Sequence, residues 1–272
     1  MGENVSWSIL KRFSRKNIQV FGFKDVVMEF PGKSKSVLAR ALGSMVCKGM
    51  LCKIARDMYY VIPLCADPQS YEPDGRLVAK SLMQNTAYYI GYASALRMHA
   101  LSSSESGKVY VVAEKRVNST VGKVRGKTIQ FIIHHLDRIF GYRDMCINQK
   151  DLVKVSDLEK TIVDMASNPL YPGSIIELGR AIFQARNRTD YKLLFYYFAR
   201  NGNRSALKRY LYLADLLDLE WNSEHEQMME ELGSSVPVLD PKGNRYGKHC
   251  GKFGLKINAD PVFIKTEAFS SR

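Results

Sequence analysis

Cysteine is scarce and unpatterned: five residues (Cys47, Cys52, Cys65, Cys146, Cys250), odd in number and never spaced Cys-x-x-Cys. Neither a disulfide framework nor a zinc site is signalled, and a reducing cytoplasm is the expected setting. Long apolar runs are missing too. The longest uncharged stretch, residues 81–96, contains Gln84, Asn85 and Thr86 and is shorter than the ~18 apolar residues a spanning helix needs. Near the start, Lys11, Arg12, Arg15 and Lys16 interrupt the one hydrophobic cluster, so no secretory h-region is expected. Acidic residues are in deficit, 27 against 40 Lys and Arg, for a net charge of +13. With 46% hydrophobic and 25% charged residues, disorder and collagen-like structure are excluded and a packed core is expected. A chain of 272 residues is long enough for two domains.

The positive charge is uneven. Residues 1–65 hold eleven basic and four acidic side chains, a net of +7 in a quarter of the chain. Such asymmetry points to an N-terminal element that meets a polyanion, or to a solvated basic surface.

Hydrophobic spacing gives that element a shape. Ile9, Leu10 and Phe13 lie at helical spacing within residues 7–16, with Ser6 as a candidate cap. A second helix begins near Phe23, sets Val26, Val27 and Phe30 on one side, and stops at Pro31-Gly32. From Ser34, the residues Val37, Leu38, Ala41, Leu42, Met45 and Val46 form one helical face, ended by Gly49. The opposite face carries Lys35, Ser36, Arg40, Ser44 and Lys48. Its small and basic residues allow close approach to a groove, and Ser34 or Ser36 leaves N–H groups at the helix start for a phosphate. Leu51, Lys53 and then residues 59–62 read as two strands joined across Ala55-Arg56-Asp57-Met58. Three helices and a two-stranded wing give the winged helix-turn-helix order.

Residues 66–75 read as a linker. The expected organisation is therefore α+β: a winged helix-turn-helix over 1–65, then a larger mixed α+β domain over 76–272. In the latter, helices are expected over 77–84 and 90–101, with His99 a packed residue, and strands over 108–113 and 128–134. Helices follow over 158–166, 175–185, 191–200 and 205–219, with Phe195, Tyr196, Tyr197 and Phe198 as core. Beyond Val236 the glycines and prolines predict loop, with a strand near 253–257.

Three fragments imitate chemistry. Gly122-Lys-Val-Arg-Gly126-Lys127-Thr128 resembles a phosphate-binding Walker loop, but has three residues between the glycines where four are needed, and a strand pattern after it. Asp157-Leu-Glu159-Lys160 resembles the acid-and-lysine site of Mg²⁺-dependent nucleases. Here it opens a helix, with Ser156 and Glu159 spaced as a capping box. The adjacent pairs His134-His135 and His249-Cys250 cannot both face one metal from a strand. Nothing calls for a cofactor or metal.

Beyond the basic N-terminal element, Ser94-Ala95-Leu96 with His99 and Leu101, and Val153-Lys-Val-Ser156-Asp157-Leu-Glu159-Lys160-Thr161-Ile-Val-Asp164, resemble the abortive-infection AbiE antitoxin family, the AbiEi-type transcriptional regulators. Leu239-Asp240-Pro241, Gly247 and Phe253-Gly254-Leu255-Lys256-Ile257-Asn258 are similar to that family's C-terminal end. At the wing, Asp57-Met58 stands where such proteins commonly have a glycine before the aromatic strand. The resemblance implies a type IV toxin–antitoxin role without enzymatic activity. The N-terminal domain would bind double-stranded operator DNA and repress its own operon, and the C-terminal domain would counter a nucleotidyltransferase-like toxin. DNA contacts would fall on Lys33, Ser34, Lys35, Ser36, Arg40, Ser44, Lys53 and Arg56. Ser156, Asp157, Glu159, Lys160, Thr161 and Asp164 would serve structure. The alternatives are an interaction module that ignores DNA, or a nuclease using Asp157, Glu159 and Lys160.

Overall fold

The protein is described here by a computed structural model covering residues 4–83, 86–102, 107–115, 123–124, 127–148, 151–171 and 173–270. It is a mixed α+β fold made of two compact units, each discontinuous in sequence. The first comprises residues 1–88, 106–133 and 145–153; the second comprises 89–105, 134–144 and 154–272.

The first unit opens with α1 (Val5–Arg15), β1 (Val20–Gly22), α2 (Phe23–Glu29), α3 (Lys35–Cys47), β2 (Leu51–Ala55) and β3 (Met58–Val61). Helix α1 starts two residues earlier than expected: Asn4, not Ser6, caps it, its Oδ1 accepting the Ser6 N–H at 3.1 Å. Ile9, Leu10 and Phe13 are buried, and the Phe13 ring stacks on Phe21 with centroids 4.1 Å apart. Strand β1, which hydrophobic pattern did not predict, pairs antiparallel with β3, giving the sheet order β1-β3-β2. At the start of α2 the Gly22 N–H donates to Asp25 Oδ2 at 2.7 Å. Phe23 N–H donates to the Asp57 carbonyl at 2.7 Å, tying this helix to the β2–β3 turn. Helix α3 buries Leu38, Ala41, Leu42 and Met45. That face is narrower than the sequence pattern, because Val37 is 39% exposed and Val46 only half-buried. After it, Gly49 holds φ +70°, and a Cβ there would lie 2.4 Å from Pro68, so both the turn and the neighbouring chain require glycine.

The same unit contains α4 (Gly75–Leu82), β5 (Lys108–Ala113), β6 (Lys123–Val124) and β7 (Lys127–Ile133), with β4 (Tyr88–Ile90) at its boundary. Strand β5 runs parallel to β7 over six residue pairs, and β6 runs antiparallel to β7. A strand does follow the Walker-like fragment, whose Gly122, Arg125 and Gly126 lie outside the described residues.

The second unit holds α5 (Tyr92–Met98), most of β8 (Tyr142–Cys146), the end of β9 (Leu152–Ser156), α6 (Leu158–Ser167), α7 (Ile175–Ala185), α8 (Tyr191–Asn201), α9 (Arg204–Leu216) and α10 (Ser223–Glu230). It closes with β10 (Lys248–Cys250), β11 (Leu255–Ile257) and α11 (Pro261–Phe269). Strand β4 lies parallel to β9, with Ile90 opposite Val155. The tail is less loop-like than its glycines suggested: β10 pairs with β11, and α11 packs on α7. Of the aromatic run on α8, Tyr197 and Phe198 are buried, whereas Tyr196 is 55% exposed and so is not core. Among the described residues no helix is long and apolar enough to cross a membrane.

Candidate nucleic-acid interface

Burial of Leu38, Ala41, Leu42 and Met45 turns the other side of α3 to solvent. Lys33, Ser34, Lys35, Ser36 and Arg40 are exposed there, and Ser44 is half-exposed. On the neighbouring hairpin, Lys53 and Arg56 are exposed, the latter almost completely. Among the described residues, Lys33, Lys35, Arg40, Lys48 and Lys53 make no ion pair, while Arg56 lies 3.9 Å from the Asp57 carboxylate. The rest of the basic segment is partly neutralised. Arg12, at 3.4 Å, and Lys16 both pair with Glu29, and the Lys16 hydrogen bond holds the Glu29 carboxyl below its usual range. Lys11, Arg15 and Lys24 also make no ion pair among the described residues, so five of the segment's eight unpaired cations lie on or beside α3 and on the hairpin.

Two details differ from the sequence reading. The Ser34 hydroxyl takes the Val37 N–H at 3.4 Å and lies 3.0 Å from the Ser36 hydroxyl, so one N–H expected to be open to a phosphate is capped from within the helix. At the hairpin tip Asp57 takes the left-handed conformation, φ 58°. That is the conformation a glycine would supply, and Asp is among the few other residues that enter it readily. Beside the tip, a groove of about 730 Å³ runs between α2, the start of α3 and the β2–β3 turn. Lys24, Lys35 and Arg56 line it, with Phe23, Met28 and Met58 among its apolar walls. Lys24 belongs to the basic excess of residues 1–65, and the sequence gives no sign that it shares a groove with Lys35 and Arg56, which lie on other elements.

The comparisons bear on fold. No protein-family model matches the chain, and no curated protein matches it in sequence. The chain is similar in structure to the RV2827C protein from Mycobacterium tuberculosis. The two are 13% identical, the alignment covers 98% of this chain and 94% of that one, and the TM-score is 0.72. At that identity the likeness speaks for the α+β fold alone.

The motif of residues 156–164 lies inside the second unit. Asp157, not Ser156, caps α6: its Oδ1 accepts the Lys160 N–H at 2.8 Å, and its Oδ2 accepts the Tyr197 hydroxyl at 2.9 Å. The expected capping box does not form, since Glu159 Oε1 instead accepts the Asp190 N–H at 2.8 Å. Burial raises the carboxyls of Asp157 and Glu159 and pushes the Tyr197 phenol up. The Ser156 and Thr161 hydroxyls share a hydrogen bond of 2.7 Å, Thr161 donates to the Asp157 carbonyl at 2.6 Å, and His99 Nε2 donates to the Ser156 carbonyl at 2.8 Å. Lys160 and Asp164 form a fully buried ion pair. Tyr89 adds a 2.6 Å hydrogen bond to Asp164, and the Lys160 ammonium sits 4.5 Å from the Phe140 ring centre. A nuclease site would need the two acids and the lysine to project together from strands. Helix α6 instead sends Asp157, Glu159 and Lys160 to separate partners. Among the described residues no three His, Cys, Asp or Glu side chains gather to hold a metal.

Proposed function

We propose that residues 1–65 are a winged helix-turn-helix that binds double-stranded operator DNA, and that the protein is a sequence-specific repressor of its own operon. The observation that carries this reading is the set of exposed cations on or beside α3 and on the β2–β3 hairpin, Lys33, Lys35, Arg40, Lys48 and Lys53, which make no ion pair among the described residues. The element order α1-β1-α2-α3-β2-β3, with the three-stranded order β1-β3-β2, supports it. In this arrangement α3 enters the major groove and the hairpin lies along the backbone. Lys33, Lys35, Lys53 and Arg56 neutralise phosphates, while Arg40 and Ser44 reach base edges. The antitoxin role, opposite a nucleotidyltransferase-like toxin, rests on the resemblance to AbiEi-type regulators and is part of the same proposal.

The test is fluorescence anisotropy of the whole protein on duplex DNA from upstream of its own gene, against a shuffled duplex, across a salt series. Selective binding that survives physiological salt is expected. Arg40→Ala should then cost about 1–3 kcal/mol on the operator and little on the shuffled duplex. Equal binding to both that vanishes with salt would reduce the basic face to nonspecific charge and favour an interaction module. For the antitoxin half, a nucleotidyltransferase-like reading frame is expected beside the gene, and co-expression with it should restore growth; no such frame, or unrelieved toxicity, would remove that half.

A further inference from the structure

On the reading that residues 1–65 bind DNA, we infer that Lys24 of α2 is a further phosphate contact, and that the groove beside it seats a stretch of deoxyribose-phosphate backbone. Three cations from three elements line this one groove: Lys24 from α2, Lys35 from the start of α3 and Arg56 from the hairpin turn. Lys24 is exposed and makes no ion pair among the described residues. Two acids also line the groove, so its lining keeps one net positive charge, three cations against two carboxylates. Asp25 accepts the Gly22 N–H at 2.7 Å, and Asp57 stands 3.9 Å from Arg56 Nε. The remaining walls are apolar, from Phe23, Val27, Met28 and Met58, with Met28 70% exposed.

A nucleic-acid strand has the matching surface. Its phosphates meet the cations, and the C–H faces of its sugars lie against the methionines and Val27. Since phosphate contacts fix position without reading sequence, Lys24 anchors the duplex, whereas Arg40 is placed to discriminate between sequences. The grip thus extends from α3 and the hairpin to a third element.

The experiment uses the full chain on the upstream and shuffled duplexes, over roughly 50–300 mM salt. Wild type is compared with Lys24→Ala, Lys24→Arg and Lys11→Ala, the last removing an exposed cation on α1 outside the groove. Expected is that Lys24→Ala weakens binding to both duplexes by the same factor and lowers the salt slope by about one. Lys24→Arg and Lys11→Ala should keep the wild-type slope. Unchanged melting of Lys24→Ala, expected for an exposed residue, confirms that the fold is intact. If wild type binds its operator selectively and Lys24→Ala behaves like Lys11→Ala, the phosphate role of Lys24 is refuted and the repressor reading stands. If wild type binds neither duplex, the repressor reading is refuted and the groove assignment falls with it.

Discussion

Lys160→Met tests whether the buried ion pair of the second unit is a structural requirement. Both side chains are fully buried, and Asp164 has two donors, the Lys160 ammonium and the Tyr89 hydroxyl. Removing the ammonium leaves a carboxylate in the core with one hydrogen bond, and breaking a buried pair from one side costs about 3–5 kcal/mol. The lost contact of Lys160 with the Phe140 ring, 4.5 Å away, falls within that range. At about 2–4 °C per kcal/mol for a chain of this size, Tm should fall by roughly 6–20 °C. The penalty comes from an uncompensated charge, so taking away the other polar partners should relieve it. The triple variant Lys160→Met, Asp164→Leu, Tyr89→Phe should return to within about 2 kcal/mol of wild type, as apolar replacements of buried pairs do. Urea denaturation and differential scanning fluorimetry read both. A single variant within about 1 kcal/mol of wild type, or a triple variant no better than the single, would refute the argument.

The buried imidazoles of His99 and His225 are held below their usual pKa by desolvation. Protonation therefore favours the unfolded chain, and stability should decline as pH falls through about 6.5 and below. Asp157 and Glu159, raised by burial, act with the opposite sign at lower pH. His225→Gln should flatten the decline, and urea titrations showing a level or rising profile would sink this account. At the hairpin tip, Asp57→Val forces a β-branched residue to φ 58° and should cost about 1–2 kcal/mol. Asp57→Gly should stay within about 1 kcal/mol of wild type, so a valine variant as stable as the glycine one in urea would show that the turn is not held in that conformation.

Periodicity made the longer amphipathic helices legible. The apolar face of α3 was identified from Leu38, Ala41, Leu42 and Met45, and α7 from its stripe over Ile175–Ala185, because burial against one side imposes a regular spacing. Shorter elements carry too little pattern. Strand β1 has three residues, and α10 is a polar helix that buries only His225 and Met228. Helix α11 was hidden by the proline- and glycine-rich stretch before it, residues 237–254, by Pro261 at its own start, and by Val262 and Phe263, apolar yet exposed. Charge misled in a different way. Lys208 and Arg209 flank the stripe of α9 and would be placed in solvent by residue type, yet both are buried. The Lys208 ammonium donates to the Gly233 and Ser235 carbonyls, and Arg209 donates to those of Leu239 at 3.1 Å and Ala166 at 3.0 Å. Acceptors supplied by backbone leave no trace in a sequence.

The same reasoning separates the two regions that looked functional in the sequence. Residues 156–164 form a specific polar pattern, and the structure shows why such a pattern is demanding. Ser156, Asp157, Glu159, Lys160, Thr161 and Asp164 each meet a partner fixed in the second unit, and a buried polar group without its partner is costly. Sequence specificity there reflects the requirements of the core, and a match to it argues for a shared fold before a shared activity. The α3 face is the reverse case. Its cations are exposed and make no ion pair among the described residues, so the described fold sets no requirement for Lys33, Lys35 or Arg40. Side chains that the core does not need are the ones whose replacement can change binding while leaving stability alone. The DNA-binding proposal is therefore decided by variants on α3 and the hairpin that melt like wild type.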